Sequence, residues 1–319
     1  MPVVYVSVIL TQQHNKGIFM SITLSYLVVI VIWSTTPLTV QWSGVSSPLY
    51  ALAIRMLIGV AGCWVLAYFM RVRVPFNKRQ VPVYLVTGLS MFAAMTLVYL
   101  SAQRIPSGWI SVLFGLSPIT TGICARIFLR ERSLSWNKVL GMCLGFAGLV
   151  FVFASGFDVS ADAVWGIIMI LFAVMVSGLS AVWIKRLNQT ANLTGLQTNI
   201  GGLTVAIPFY IVSWLCLSDE WFPVLSSKEI SSIAYLGLVG TTLGFSLYYY
   251  LLKNMEATRV ALIALITPIS CLLLGSWLNN EPVLLNVWVG AALICSGLIS
   301  FELQARKSWF GLKKYRQDL

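Results

Sequence analysis

Charged residues are scarce in this chain: Asp, Glu, Lys and Arg make up 10% of its 319 residues, against about 25% in a typical soluble domain. Hydrophobic residues make up 58%, and the mean hydropathy is +0.86. A soluble fold of this size would have too little polar sequence to cover its surface, so lipid is the expected environment. The apolar runs are long and lack the alternation of barrel strands. The composition therefore predicts an all-α membrane protein.

Groups that carry chemistry are also few. The one histidine is His14, and the six cysteines lie singly in apolar segments without a CxxC pair. A metal site needs clustered ligands and a disulfide framework needs a recognisable cysteine pattern, so we expect neither metal, nor disulfides, nor a cofactor. The sequence also lacks the glycine-rich phosphate-binding loop of ATP-driven pumps.

The net charge of +11 does not indicate a nucleic-acid partner. Nucleic-acid-binding proteins cluster their basic residues on one face or in one groove, whereas here these residues lie in short breaks between apolar runs. That distribution is the positive-inside pattern of proteins that cross a membrane. We therefore expect the lipid bilayer, and no nucleic acid, as a partner.

Ten apolar segments lie between the polar breaks, and each approaches the roughly 20 residues that a hydrocarbon core requires. The predicted transmembrane helices, numbered here as spans 1 to 10, cover residues 21–41, 48–70, 82–102, 107–129, 137–155, 164–184, 195–217, 230–252, 257–278 and 284–303. Because the breaks are short, we expect a compact bundle without a soluble domain.

The basic residues of the loops predict the orientation. With the N-terminus inside, 17 of the 21 Lys and Arg residues fall on the inner side, and only Arg104 and Lys228 fall on the outer side. The bias alternates from loop to loop as ten spans require, and it places both termini in the cytoplasm.

The second half of the sequence repeats the first at an offset of about 150 residues. The matches pair Trp33 with Trp183, Tyr99 with Tyr249, Ser117-Pro118 with Thr267-Pro268, Glu131 with Glu281 and, after a one-residue slip, Gly141 and Gly148 with Gly290 and Gly297. Each copy holds five spans, an odd number, so the second copy enters the membrane from the opposite side. Two inverted five-helix repeats are a known transporter design.

This organisation predicts four regions. Residues 1–20 form a disordered or interfacial leader, residues 21–155 the first repeat, residues 164–303 the second and inverted repeat, and residues 304–319 a basic cytoplasmic tail. Two near-symmetric packings of the same halves would open to opposite sides of the membrane, separated by a modest free-energy difference.

Several motifs, taken in their order and spacing, resemble the EamA type of the drug/metabolite transporter superfamily over residues 21–303. They are Trp33-Ser34-Thr35-Thr36-Pro37, Leu116-Ser117-Pro118, Leu129-Arg130-Glu131-Arg132, the segment 237–245, Thr267-Pro268 and Asn279-Asn280-Glu281. Ser34 departs from the family's usual glycine, and Pro282 stands where the first repeat has Arg132. The resemblance implies transport of small metabolites, often amino acids or related compounds, across the bacterial cytoplasmic (inner) membrane.

Two matched prolines, Pro118 and Pro268, lie at the expected depth of a central site. A proline within a helix frees a carbonyl one turn back, and in lipid that carbonyl needs another partner or lines a polar cavity. Together with the hydroxyls of Ser117 and Thr267, these residues are candidates for substrate binding. The alternative is a purely structural kink.

Four aromatic residues recur in matched pairs and could line a cavity: Trp33, Tyr99, Trp183 and Tyr249. Aromatic rings bind cationic solutes through their faces, but Trp and Tyr also anchor helices at the membrane interfaces. Trp183 lies near the inner end of span 6, where an interfacial role is the alternative.

Three charged residues are further candidates. Arg55 lies well inside span 2 and could hold a substrate carboxylate, because a charge within the membrane is costly and usually functional. The alternative is that its side chain snorkels to the outer headgroups. Glu131 and Glu281 are structural or gating candidates at helix ends, where a carboxylate can cap free N–H groups or pair with an arginine.

These features favour a secondary transporter that moves a small organic solute by alternating access. All ten acidic residues lie in loops or at helix ends, so uniport, exchange or coupling through a terminal carboxylate is expected rather than a central proton relay. The aromatic pairs favour a neutral or zwitterionic, amino-acid-like solute, and we expect export by a monomer or homodimer. The alternatives are a channel, a membrane-embedded enzyme acting on a lipid, which the scattered acids disfavour, and a non-transporting receptor or scaffold.

Cysteine labelling in intact cells, in a variant without the six native cysteines, tests the predicted orientation. Asn77→Cys, in the basic loop after span 2, is expected to be protected from a membrane-impermeant maleimide, while Lys228→Cys is expected to react. Labelling at position 77 with none at position 228 would reverse the orientation.

Overall fold

A computed structural model describes residues 21–105, 107–129, 136–153, 160–218, 220–268, 270, 289–290, 292–293 and 296–297. Within these residues the regular structure is helical and no strand occurs, which confirms the all-α prediction for this part of the chain. The predicted leader, Glu131, Glu281, most of span 10 and the basic tail lie outside the described residues.

Eleven helices can be followed through the described residues. They are α1 Ile22–Ser43, α2 Pro48–Phe69, α3 Val81–Ala102, α4 Ser107–Phe114, α5 Ser117–Phe128, α6 Trp136–Phe153, α7 Ala161–Ala191, α8 Gly195–Leu217, α9 Ser227–Tyr235, α10 Phe245–Asn254 and α11 Ala257–Ala261. A π-helical segment, Leu236–Gly244, joins α9 to α10, so that Ser227–Asn254 is one continuous helical unit.

In the part of the chain that the structure describes, six helical units are long and apolar enough to cross a membrane: α1, α2, α3, α7, α8 and Ser227–Asn254. They coincide with predicted spans 1, 2, 3, 6, 7 and 8, so these six predictions are confirmed. Helix α7 has 31 residues, which corresponds to about 46 Å at 1.5 Å per residue. It therefore extends beyond the hydrocarbon core, and span 6 is longer than its apolar run indicated.

Two predicted spans are not uniform α-helices. Span 4 is divided into α4 and α5 at Gly115 and Leu116. Pro118 has no N–H to donate across this point, and the Leu116 carbonyl instead accepts from the N–H groups of Ile119 and Thr120 at 3.0 and 3.1 Å. Span 8 contains the π-helical segment in its middle, which apolar periodicity alone does not indicate.

Polar side chains define several helix ends. A capping box of Thr194 and Gln197 starts α8, and one of Ser226 and Glu229 starts α9; in each, the two residues satisfy each other's free backbone N–H groups. Asn192 ends α7 in the left-handed conformation, with φ of 51°, as is common at helix C-termini. These signals place the turns that return the chain into the bundle.

Loops from both halves of the chain meet at one end of the bundle, which we call the α1–α2 face. The Gln103 side chain, after α3, donates to the Gly44 carbonyl, after α1, with an Nε2–O distance of 3.1 Å. The hydroxyls of Ser47, before α2, and Ser218, after α8, lie 2.9 Å apart.

The opposite end, which we call the α2–α3 face, joins the other set of helix ends. Gln197, at the start of α8, donates to the Arg73 carbonyl in the α2–α3 loop at 2.7 Å. Tyr26, near the start of α1, donates to the Arg259 carbonyl at 3.1 Å. The chain therefore runs from the α2–α3 face to the α1–α2 face in α1, α3 and α8. It runs in the opposite direction in α2, α7 and Ser227–Asn254.

Glycines allow α3 and α8 to approach each other closely. A Cβ atom at Gly88 would lie 2.5 Å from the Gly202 carbonyl oxygen and 2.7 Å from the Cβ of Val205. Helix association in lipid depends on such packing, because the hydrophobic effect does not favour helix contacts over lipid contacts. The interface between the two halves therefore requires a small residue at position 88.

Gly88→Val is expected to lower the free energy of unfolding by about 1–3 kcal/mol, because the side chain overpacks the α3–α8 interface. Thermal unfolding in detergent measures the change. Leu89→Val is the control, since Leu89 on the same helix is 46% exposed and faces away from the bundle. Equal melting temperatures for the two variants would contradict this packing.

Candidate functional site

A cavity of about 180 Å³ lies between the two halves of the chain. Helices α1 to α5 contribute one part of its wall, and α7, α10 and the helical residues from Val260 to Thr267 contribute the other. Its aromatic residues are Trp33, Phe114, Phe245, Tyr248 and Tyr249. Its hydroxyl-bearing residues besides Tyr248 and Tyr249 are Thr36, Ser90, Ser111, Ser117, Thr121, Ser177, Ser180 and Thr267. Among the described residues of the wall, Arg55 is the one charged side chain.

The cavity brings together five of the nine predicted binding residues: Trp33, Arg55, Ser117, Tyr249 and Thr267. The matched hydroxyls of Ser117 and Thr267 thus lie in the same cavity, although 150 residues separate them. A binding role for the five stays a prediction.

The other four predicted binding residues lie outside the described cavity wall. Pro118 and Pro268 are buried next to their lining neighbours. Tyr99 is fully buried and contacts Arg55. Trp183 packs against Phe128, with ring centroids 5.5 Å apart. Both the cavity role and the interfacial role of Trp183 stay predictions.

Arg55 points into the bundle, so the snorkelling interpretation is wrong. The side chain is 1% exposed, and its Nε donates to the Thr241 hydroxyl of the π-helical segment at 3.1 Å. Its Nη1 makes a longer contact of 3.4 Å with the Tyr99 hydroxyl. Because these partners lie on the inner sides of α3 and the π-helical segment, the guanidinium is held at the cavity rather than directed to the headgroups.

A network of buried polar groups holds the π-helical segment against α2 and α8. Asn199 of α8 is fully buried, and its Nδ2 donates to the Thr241 carbonyl at 2.9 Å and to the Ser246 hydroxyl at 3.0 Å. The Thr242 hydroxyl lies 3.1 Å from the carbonyls of Gly59 and Gly237. In lipid an unpaired backbone carbonyl costs several kcal/mol, so these side chains stabilise the irregular turn.

Aromatic rings from both halves form one side of the cavity. Trp33 packs against Tyr248 with ring centroids 5.1 Å apart, and against Phe245 at 6.2 Å. Phe245 in turn stacks on Tyr249 with an interplanar angle of 21°. The cluster gives the cavity an apolar, aromatic wall that suits an organic solute.

Three lining hydroxyls donate their proton to their own helix. Thr36 donates to the Ile32 carbonyl at 2.9 Å, Ser90 to the Thr87 carbonyl at 3.1 Å, and Ser180 to the Ser177 carbonyl at 3.0 Å. A hydroxyl has one donor and two acceptor positions. With the donor engaged, each of these oxygens can offer the cavity a hydrogen-bond acceptor.

Sequence reasoning missed Asn199 and the positioning role of Thr241. A signal for Asn199 was present, because an amide side chain within an apolar span is unusual and tends to be buried against a partner. Thr241 lies within the segment 237–245 of the family resemblance, but nothing in the sequence linked it to Arg55, which lies 186 positions away.

Asn199→Leu is expected to lower the free energy of unfolding by about 1–3 kcal/mol, because the Thr241 carbonyl and the Ser246 hydroxyl lose their donor. Thermal unfolding in detergent is the measurement. Thr204→Val, on the same helix, is the control, since that hydroxyl donates only to the Ile200 carbonyl of its own helix. Destabilisation of the control equal to that of Asn199→Leu would show that the network adds nothing.

Comparison with known proteins finds relatives along most of the chain. The "Uncharacterized transporter YoaV" of Bacillus subtilis is 24% identical over 269 residues, 82% of this chain and 89% of the relative. A crystal structure superposes on 90% of this chain and 98% of its own with a TM-score of 0.76 at 20% identity, a likeness that shows the fold alone.

Two further relatives have names that state a cargo. The "Probable terminal-alkyne amino-acid exporter" of Streptantibioticus cattleyicolor is 25% identical over 70% of this chain and 73% of its own length. The "S-adenosylmethionine/S-adenosylhomocysteine transporter" of Chlamydia muridarum is 23% identical over 78% of this chain and 81% of its own.

The model of the EamA-like transporter family matches the chain twice, at residues 20–154 and 164–301. Together these matches cover most of the chain and include every helix that contributes to the cavity. The chain is a multi-pass membrane protein that belongs to the EamA-like transporter family.

Proposed function

We propose that the protein is a secondary transporter that moves a small organic metabolite through the cavity by alternating access. The observation that carries this proposal is the position of the cavity between the halves, lined by helices of both. A site at such an interface can face either side of the membrane when the halves rock against each other. No movement of the solute relative to its binding residues is then needed.

The helix directions support two inverted repeats of five spans. The offset of 150 residues matches α1 with α7, α2 with α8, and α3 with Ser227–Asn254. Each matched pair runs in opposite directions between the α1–α2 face and the α2–α3 face. The two family matches, 20–154 and 164–301, fall close to the proposed repeats 21–155 and 164–303.

Glycines from the last span of each proposed repeat also pack against each other. A Cβ atom at Gly297 of span 10 would lie 2.8 Å from the backbone nitrogen of Gly145 in α6 and would also contact the carbonyl oxygen of Gly141. The glycine-rich parts of spans 5 and 10 therefore pack together. This contact supports the arrangement of ten spans.

We further propose that the transporter lies in the cytoplasmic membrane with both termini in the cytoplasm. The 17 basic residues predicted for the inner side support this orientation through the positive-inside rule. The leader 1–20 and the basic tail 304–319 would then both be cytoplasmic, and a monomer or homodimer would suffice for function.

The proposed solute is amino-acid-like, and the proposed direction is export. A guanidinium, hydroxyl acceptors and aromatic rings in one cavity suit a zwitterion, because the first binds a carboxylate and the others bind an ammonium group. Trp33, Arg55, Ser117, Tyr249 and Thr267 would contact the solute. The amino-acid exporter and the S-adenosylmethionine transporter among the relatives support a solute of this class.

The remaining predicted residues would act indirectly. Tyr99 would hold Arg55, while Pro118 and Pro268 would shape the helices that carry Ser117 and Thr267. Trp183 would anchor α7 at an interface, and Glu131 and Glu281 would have structural or gating roles at helix ends. Uniport or exchange is the proposed mode of coupling.

Solute counterflow in proteoliposomes, with a panel of amino acids and related metabolites, tests the proposed function. Ala94→Trp is expected to reduce transport to background, because Ala94 lines the cavity and is 3% exposed. An indole there would fill the space meant for the solute.

Leu89→Trp is the control, since it introduces the same indole on the lipid-facing side of α3 and is expected to keep transport. Wild-type transport by Ala94→Trp would exclude this cavity as the route. Solute binding without counterflow would indicate a receptor, and chemical conversion of a lipid without counterflow would indicate an enzyme.

A further inference from the structure

We propose that the cavity recognises its solute by a single carboxylate group, which binds the guanidinium of Arg55. This inference rests on the proposed transport function and makes the carboxylate the group by which the carrier selects its solute. It also assigns a positioning role to Thr241 in the π-helical segment. The argument depends on the charge of the cavity, on the unused donors of Arg55 and on the way its side chain is held.

The charge of Arg55 is not balanced within the described part of the cavity wall. The acidic residues that the structure describes are Asp162, Glu220, Glu229 and Glu256, and none of them lines the cavity. The other six acids of the sequence lie outside the described residues, and the sequence predicts them in loops or at helix ends. A buried cation without an anionic partner is costly in a medium of low dielectric constant. An anionic group on the solute would supply the missing partner.

The guanidinium keeps donors for such a group. Arginine has five N–H donors, and within the described residues two of them are engaged, by the hydroxyls of Thr241 and Tyr99. Three remain, and both hydrogens of Nη2 are among them. One hydrogen from each Nη atom forms the fork that binds the two oxygens of a carboxylate.

The π-helical segment holds the guanidinium in place. A Cβ atom at Gly59 would lie 2.8 Å from the Cβ of Thr241, so α2 and the segment are in close contact and the Thr241 side chain has little freedom. At Gly240 an added Cβ would lie 3.6 Å from Nη2, an ordinary van der Waals distance, so the segment also runs alongside the end of the guanidinium. A binding group whose own position is fixed in this way loses little entropy when the solute arrives.

The described part of the cavity wall holds one such cation rather than two. The offset of the repeat matches Arg55 with Val205 of α8, which packs against Gly88 in the α3–α8 interface. The charge is therefore an asymmetric feature added to a near-symmetric cavity. One guanidinium balances one carboxylate, whereas a phosphate dianion would leave an unbalanced negative charge.

Binding of matched probe pairs to the purified full-length protein tests the inference. The probes are L-phenylalanine, L-leucine and benzoate, each paired with its carboxamide, together with phenyl phosphate. In wild-type protein we expect at least one carboxylate to bind about 100-fold more tightly than its carboxamide, the effect of two charge-assisted hydrogen bonds. Isothermal titration calorimetry and thermal shift give the dissociation constants.

Arg55→Gln is expected to abolish this preference, and Arg104→Gln is the matched control. Arg104 follows the end of α3, lies outside the described cavity wall and donates to the Leu100 carbonyl of α3. The inference would be overturned if the carboxamides bound as tightly as the acids, or if Arg55→Gln kept the preference for the acids. It would also be overturned if phenyl phosphate were the tightest ligand, or if no carboxylate bound.

Two variants of Thr241 keep the test valid if Arg55→Gln does not fold. Thr241→Val preserves shape but removes the hydroxyl that accepts from Nε, and is expected to weaken carboxylate binding about tenfold. Thr241→Ser restores the hydroxyl and is expected to restore affinity. Equal affinity in both variants would remove the positioning role.

Counterflow separates failure of this inference from failure of the proposed function. Transport of a carboxamide at the same rate by wild type and Arg55→Gln would overturn carboxylate recognition and retain the carrier. If no probe showed counterflow but carboxylates still bound in a way that depends on Arg55, the proposed transport function would be overturned. The proposed carboxylate site would stand.

Discussion

The hydrogen bonds that the Asn199 amide donates inside the bundle are the contacts on which the described site depends. In lipid, backbone carbonyls must find partners within the protein, and a π-helical turn disturbs the regular pattern that would supply them. Asn199 donates to the carbonyl of Thr241 and to the hydroxyl of Ser246, which itself donates to the Thr242 carbonyl at 2.6 Å. With these carbonyls satisfied, the wide turn can persist in the middle of a transmembrane helix.

The stabilised turn links the packing of the halves to the chemistry of the cavity. It brings Thr241 close to α2, where glycine at position 59 leaves space for it, and the Thr241 hydroxyl then accepts from Arg55. The counterpart of this turn in the proposed first repeat, within α3, is a regular helix. The two halves thus differ where the charge is held. Short π-helical segments often occur at functional sites.

Much of the fold could be predicted because hydrophobic length and loop charge are strong signals. Span 7 was predicted with the bounds that α8 has, and α1, α2 and α3 agree within two residues. The break before Ser117 and the π-helical segment were not predicted, since both depend on which neighbours satisfy the freed carbonyls. A linear pattern carries no information about such neighbours.

The site was only partly predictable for the same reason. Ser117, Thr267, Trp33 and Tyr249 could be found because the repeat marks them twice. Arg55 has no counterpart in the repeat, and its depth along span 2 fitted snorkelling as well as burial; only its contacts with Thr241 and Tyr99 decide between the two. Asn199 stabilises the turn from another helix, and no motif contains it.

Cross-linking of the α1–α2 face tests alternating access most directly. The hydroxyls of Ser47 and Ser218 are 2.9 Å apart, so cysteines at both positions, in a variant without the native cysteines, can form a disulfide between the two halves. If the halves must separate at this face in every cycle, oxidation will stop counterflow in proteoliposomes and reduction will restore it. Equal transport rates in the oxidised and reduced protein would contradict the account.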